Sequence, residues 1–173
     1  MSVPAAMSED QGPVLLSLYD RALPQVYGYL VSRCGSPVVA EDLTSETFMA
    51  AVDAVQRRAV PTMTIGWLVG VARHKLVDHW RAQAREERGL ALIEAPGELD
   101  MWDAHIDSLR AQEVLMGLDA HHRGVLTLRY LDGLAVPDVA RYIDRTVHAT
   151  EALLVRARNA FRRAYGERGL DGH

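Results

Sequence analysis

The chain has 173 residues, 49% of them hydrophobic, one cysteine and a formal net charge of −4. That apolar fraction argues for a globular chain, and a lone Cys34 excludes an internal disulfide or a thiolate zinc site and suits a reducing compartment. Charge is blocked along the sequence, at −5 over 1–56, +5 over 57–85, −6 over 86–113, −1 over 114–140 and +3 over 141–173, so two basic segments flank an acidic one and argue for two separate polyanion-facing surfaces.

The opening "MSVPAAMSEDQGPV" has neither the basic start nor the apolar run of a secretion signal, and no stretch is apolar for long enough to span a bilayer. A soluble, cytoplasmic protein without membrane insertion is expected. Apolar residues recur at three- and four-residue spacing over 15–29, 40–56, 65–85, 108–118 and from 123 onward, which predicts helices, and no segment alternates as a strand would. Breakers fall between them at Gly35-Ser36-Pro37, Pro61-Thr62, Pro96-Gly97 and Asp132-Gly133. Residues 89–107 mix acids with scattered hydrophobics and read as an acidic linker between two helical units. The expected fold class is therefore all-α.

In the segment 65–85, Ile65, Leu68, Val69, Ala72, Leu76 and Trp80 share one arc of a helix, and Arg73, His74, Arg81, Arg85 and Arg88 share the opposite one. One face calls for a core and the other for an anion. Such a helix suits either a membrane surface or a nucleic acid. Its apolar arc is no wider than a core requires, and other helices are available to cover it, which favours nucleic acid. Trp80 lies on the apolar arc and reads as core rather than as a stacking platform.

In "VPDVARYIDRTVHATEALLVRAR", Pro137 and Asp138 suit the first turn of a short helix, which stops near Ile143-Asp144. Thr146 is positioned to cap a second helix from Val147, whose apolar arc holds Thr150, Leu153, Leu154, Ala157 and Phe161. The opposite arc carries His148, Glu151, Ala152, Arg156, Arg162 and Arg163. A short helix, tight turn and longer helix with a polar outer face form a helix-turn-helix, the second helix shaped for a major groove.

In order and spacing, "AEDLTSETFMAAV" (40–52), "GWLVGVARHKLVDHWRAQAR" (66–85) and "GLDAHHRGVLTLRYLDGLAVPDVARYI" (117–143) resemble an extracytoplasmic-function sigma factor of the bacterial sigma-70 family. The resemblance implies two small helical domains joined by the acidic linker: a sigma-2-like domain over 12–88, and a sigma-4-like helix-turn-helix domain over 108–166. It implies a promoter-specificity subunit that binds core RNA polymerase, recognises −10 and −35 elements and assists melting. Implied partners are the beta-prime clamp helices, the beta flap, promoter DNA and an anti-sigma factor.

By position, the resemblance makes Asp42 and Glu46, with Leu43 and Phe48 behind them, the core-polymerase-binding set. It makes Arg57, Arg58, Arg73, His74, Lys75, Asp78, Arg81 and Arg85 the −10 set, with 56–64 forming the pocket for a flipped base. The −35 set is Arg145, Thr146, His148, Ala149, Glu151, Ala152 and Arg156, and 128–134 would pack beneath it and against the flap. The acidic linker would thread toward the RNA exit path, or simply keep the chain soluble. Relatives often carry Thr-Val-Lys/Arg-Ser-Arg where this chain has Ala149-Thr150-Glu151-Ala152-Leu153. Glu151 therefore exchanges a cation for an acceptor, which suits a cytosine amino group. Ser45 and Ala50 replace a common Gln and Arg, and Asp144 stands where the turn usually has Gly.

Catalytic signatures are absent: there is no Gly-rich phosphate loop, nucleophile elbow or HExxH motif. His74 and His79 diverge on a helix, and His121-His122 are adjacent, so neither pair makes a metal site. No enzyme activity and no cofactor are expected. Two other readings are a stand-alone dimeric helix-turn-helix regulator, which leaves 40–52 and 65–85 without a role, and a protein-binding adaptor.

Overall fold

The computed structural model describes residues 11–60, 62–87 and 108–170. The regular elements among them are helices, in the order α1 (Gln11–Cys34), α2 (Pro37–Gln56), α3 (Ile65–Glu87), α4 (Ser108–Gly117), α5 (Ala120–Leu126), a π-helical turn (Thr127–Leu131), α6 (Val136–Ile143) and α7 (Val147–Leu170). Two compact units divide between Leu76 and Val77, inside α3. The linker 89–107, with its Pro96-Gly97, and Pro61 and Arg88 lie outside the described residues.

In the first unit, α1 runs beyond the predicted 15–29 and stops where Gly35 takes a φ of 68°. That left-handed step suits glycine, which has no Cβ to clash. Ser36 then caps α2, its Oγ accepting from the Val39 N–H at 3.4 Å, with Pro37 in the first turn where no donor is needed. Leu15, Ala22, Val26 and Leu30 of α1 meet Ala40, Leu43 and Ala51 of α2 and Leu68, Ala72 and Leu76 of α3 in a buried core. Thr44 and Thr47 are buried too. Their hydroxyls donate to the Ala40 carbonyl at 2.6 Å and the Leu43 carbonyl at 2.7 Å, which removes the penalty of an unpaired polar group in the interior.

The second unit is built around α7. The side chains predicted for its apolar arc, Thr150, Leu153, Leu154, Ala157 and Phe161, are all buried, and α4, α5 and α6 pack around that helix. Arg110 of α4 donates to the Tyr165 carbonyl and lies 4.1 Å from the centre of the Tyr165 ring. The segment from 123 onward, expected as one periodic stretch, resolves into α5, the π-helical turn, α6 and α7, and α5 starts earlier than predicted, at Ala120.

Asp119 explains that start, because its carboxylate accepts from the His122 N–H at 3.0 Å and meets His122 Nδ1 at 2.9 Å. Burial alone would raise the pKa of this carboxyl. The hydrogen bonds from His122 and the charges of His122 and His121 outweigh that effect and hold it below the usual aspartate value. A depressed folded-state value means stability that is present above the ordinary carboxylate range and is lost as pH falls through the folded value. Asp119→Ala is expected to cost about 1 kcal/mol at neutral pH. In urea unfolding, its deficit relative to the unmodified chain should shrink as the solution is acidified.

Candidate nucleic-acid interface

Arginine guanidiniums near an anion site need orientation, because a long free side chain loses entropy on each contact it makes. In the first unit α3 supplies Arg73, whose Nε donates to the Tyr29 hydroxyl at 3.3 Å and whose guanidinium carbon lies 5.8 Å from the Tyr29 ring centre. His74 is exposed and Lys75 half-buried beside it. On the segment after α2, Arg57 is exposed and pairs with Asp53 at 3.1 Å, a surface pair of little energetic weight. Arg58 is exposed and adopts a φ of 53°, an uncommon conformation for a side chain this size.

The acidic face of α2 presents Asp42 and Glu46 to solvent. Leu43, by contrast, is 4% exposed and belongs to the core, so it supports that face from beneath. Phe48 is half-buried and packs edge-on against Tyr19, with ring centres 4.9 Å apart. Around them Leu16, Val38, Met49 and Val52 are exposed apolar side chains on α1 and α2.

In the second unit the C-terminal part of α3 packs and hydrogen-bonds against α5 and the segment before it. Trp80 is 3% exposed, in the interior as its arc position predicts, and lies against Gly124 of α5, where a Cβ would come within 3.0 Å of the indole. Gln83 accepts from the buried Arg123 guanidinium at 2.8 Å. Glu87 accepts from the Ala120 N–H at 3.0 Å. Arg123 also donates to the Met116 and Leu118 carbonyls, at 3.2 and 3.4 Å.

The turn between α6 and α7 has the chemistry expected of it. Asp144 is left-handed, with φ 54° and ψ 53°, a region that aspartate tolerates better than most residues. The Arg145 N–H bonds the Ala140 carbonyl at 3.0 Å. Thr146 Oγ1 accepts from the Ala149 N–H at 3.1 Å, so this hydroxyl serves as the cap. Beyond it His148, Glu151 and Ala152 are exposed, while Ala149 and Arg156 are half-buried.

The structure brings together residues that the sequence assigned to different promoter elements. Arg81 Nη2 lies 3.8 Å from Asp144 Oδ2. Arg81 and Arg85 of α3 and Arg145 of the turn line one cavity of about 300 Å³, along with Trp80, His121 and Asp144. Asp78, also on α3, is exposed. Sequence reading gave His121 and Gly124 no role, because nothing local to α5 shows which distant helix will face it.

Among the described residues no group of three or more His, Cys, Asp or Glu is placed to hold a metal. No helix among them is long and apolar enough to cross a membrane. Residues 18–86 match the family described as Sigma-70 region 2. The chain is 32% identical over 147 residues to the ECF RNA polymerase sigma factor BldN of Streptomyces coelicolor, covering 81% of this chain and 56% of that protein. It is 31% identical over 128 residues to the ECF RNA polymerase sigma factor SigC of Mycobacterium tuberculosis, covering 70% of this chain and 67% of that one. It thus spans little more than half the length of BldN. The structure of the sigma factor RpoE, solved with the anti-sigma factor NepR from Bartonella quintana, aligns with a TM-score of 0.53 at 21% identity, over 88% of this chain and 96% of that one, a likeness of fold alone.

Proposed function

The chain belongs to the extracytoplasmic-function sigma factors of the sigma-70 family, and from that premise we propose that it is a non-catalytic specificity subunit of RNA polymerase that recognises −10 and −35 promoter elements. The observation that carries this reading is a capped helix-turn-helix, α6 to α7, in the same chain as a segment matching Sigma-70 region 2. The exposed carboxylates Asp42 and Glu46 would meet a basic coiled coil of the core enzyme, the clamp helices, where opposite charge sets orientation and on-rate. The exposed Tyr130 and Leu131 of the π-helical turn would face the beta flap. Arg73, Arg81 and Arg85 would hold phosphates near the −10 element, while Arg57 and Arg58 flank the pocket for an unpaired base. The apolar side chains exposed around the acidic face of α2 would suit an anti-sigma factor.

This reading carries a geometric requirement. Sites centred near −10 and −35 are about 25 base pairs apart, roughly 85 Å along B-form DNA. Arg81 and Arg145, assigned to opposite ends of that span, line one cavity here, and Arg81 lies 3.8 Å from Asp144 beside Arg145. The end of α3 and the turn before α7 must therefore part before both elements can be engaged.

Run-off transcription with purified core polymerase on genomic fragments tests the proposal. A promoter-specific transcript that depends on the added chain is expected, and a chain that shifts duplex DNA yet directs no transcript would be a stand-alone regulator instead. For the −35 element, Glu151→Lys should change the motif recovered by binding-site selection, since an acceptor at an exposed position of α7 becomes a donor. Recovery of the same motif by both proteins would remove Glu151 from base readout.

A further inference from the structure

The last residues of the Sigma-70 region 2 match, 77–86, belong to the compact unit that also holds the helix-turn-helix. Along one face of this end of α3, Val77, Trp80 and Ala84 are each 3% exposed or less. The Trp80 ring covers Gly124 of α5, Gln83 accepts from the Arg123 guanidinium at 2.8 Å, and Glu87 accepts from the Ala120 N–H at 3.0 Å. One stretch of helix thus completes region 2 by sequence and the helix-turn-helix unit by packing.

The seam is a poor permanent core and a workable fastening. Trp80 Nε1 is closed to solvent and has no acceptor among the described residues, so closure carries a standing penalty. The buried Arg123 guanidinium meets in Gln83 a neutral amide, where a carboxylate would form the stronger, bidentate pair. Glu87 is half-buried, so water can replace the bond it makes to Ala120. Each fastener is therefore one that solvent or a partner can undo at moderate cost.

We propose that the end of α3 is a latch. Closed on α5, it keeps Arg81 and Arg85 at the same cavity as Arg145 of the helix-turn-helix and withholds the chain from polymerase and promoter. Open, it frees Arg81 and Arg85 for the −10 element while α7 engages the −35 element. A ligand that binds only the open state has its affinity lowered by the fraction of chain that is open. Core polymerase and promoter draw on that one fraction, so a change in the latch must alter both affinities by the same factor. The withholding rests on the function proposed above; the opening does not.

Trp80→Ala would also leave a void, so the test uses the polar fasteners, in the full chain. Glu87→Ala removes an acceptor and should favour opening about fivefold, whereas Gln83→Glu offers Arg123 a carboxylate and should oppose opening about fivefold. Hydrogen exchange followed by NMR reads the opening at the Trp80 indole N–H. Its protection factor should lie roughly tenfold or more below that of the Leu154 amide inside α7. It should fall about fivefold in Glu87→Ala and rise about fivefold in Gln83→Glu. Protection equal to that of Leu154, or unmoved in both variants, would make this end of α3 fixed core and overturn the proposal. For the isolated chain, affinities for core polymerase and for promoter fragments should rise in Glu87→Ala and fall in Gln83→Glu by a common factor, while promoter affinity of the assembled holoenzyme stays unchanged. Unmoved affinities beside shifted protection would show a latch that withholds nothing, and would overturn the proposal too. Shifted protection with neither core binding nor a run-off transcript from any of these chains would instead overturn the function proposed above and uphold the opening.

Discussion

Trp80→Ala should lower the stability of the second unit by about 3–5 kcal/mol, the usual cost of removing a buried aromatic side chain. Trp80 is 3% exposed and fills the space that Gly124 leaves by having no side chain. Two effects set the size of the loss. Removing the ring opens a void that the surrounding helices can only partly close. Removing the indole N–H, which has no acceptor among the described residues, relieves a standing penalty and favours the lower end of the range. For a unit of this size, a loss of about 3 kcal/mol lowers the thermal midpoint by roughly 12 °C or more. The pairing can be tested directly. Gly124→Ala alone should destabilise by about 1–3 kcal/mol, because its Cβ would press on the indole at 3.0 Å. In the Trp80→Ala background the same methyl group should be neutral or stabilising, since it then enters a void. Additive effects in the double-mutant cycle would show that the two side chains do not meet.

The second large effect concerns DNA. On the proposed function, Arg73→Ala and Arg81→Ala should each weaken promoter binding for every sequence and reduce the slope of log affinity against log salt by about one unit. Together they should cost on the order of a hundredfold at 50 mM salt and on the order of tenfold at 200 mM, because each lost phosphate contact also forgoes counterion release. The two residues differ in how they are held. Arg73 is positioned by the Tyr29 hydroxyl at 3.3 Å, whereas Arg81 makes a looser 3.8 Å approach to Asp144. Tyr29→Phe should therefore reproduce part of the Arg73 loss. An unchanged salt slope in both arginine variants, measured on holoenzyme with labelled promoter fragments, would take them off the contact list.

Much of the fold was legible because it is local. The arc of Leu68, Ala72, Leu76 and Trp80 is buried where a period of about 3.6 residues places it. Thr146 as cap and Asp144 as a left-handed turn follow from side-chain chemistry within a few residues of each. The misjudged boundaries have equally local causes: α1 continues to Gly35, whose positive φ rather than any loss of periodicity ends it, and α5 begins at Ala120 because Asp119 caps it. Less was legible where distant segments meet. No periodicity reports that Gly124 faces Trp80, that Gln83 accepts from Arg123, or that Arg85 and Arg145 share a cavity. The candidate site residues therefore stand in the sequence as separate groups, each attached to its own helix, and the meeting of Arg81, Arg85 and Arg145 at one cavity is not legible there. Nor does periodicity report that the two units divide inside α3, between Leu76 and Val77.

The π-helical turn at Thr127–Leu131 closes larger rings than an α-helix does, as in the bond from the Asp132 N–H to the Thr127 carbonyl at 3.0 Å. Each residue there advances the side-chain direction by less than the α-helical step of about 100°. Leu131, three residues past the fully buried Leu128, consequently falls short of the inward direction and is 54% exposed, beside Tyr130 at 44%. Winding rather than polarity turns Leu131 toward water, next to Tyr130, which faces outward in either geometry. Tightening the same five residues into an ordinary spiral would swing Leu131 inward and halve a greasy outer knob without altering a single atom of its chemistry.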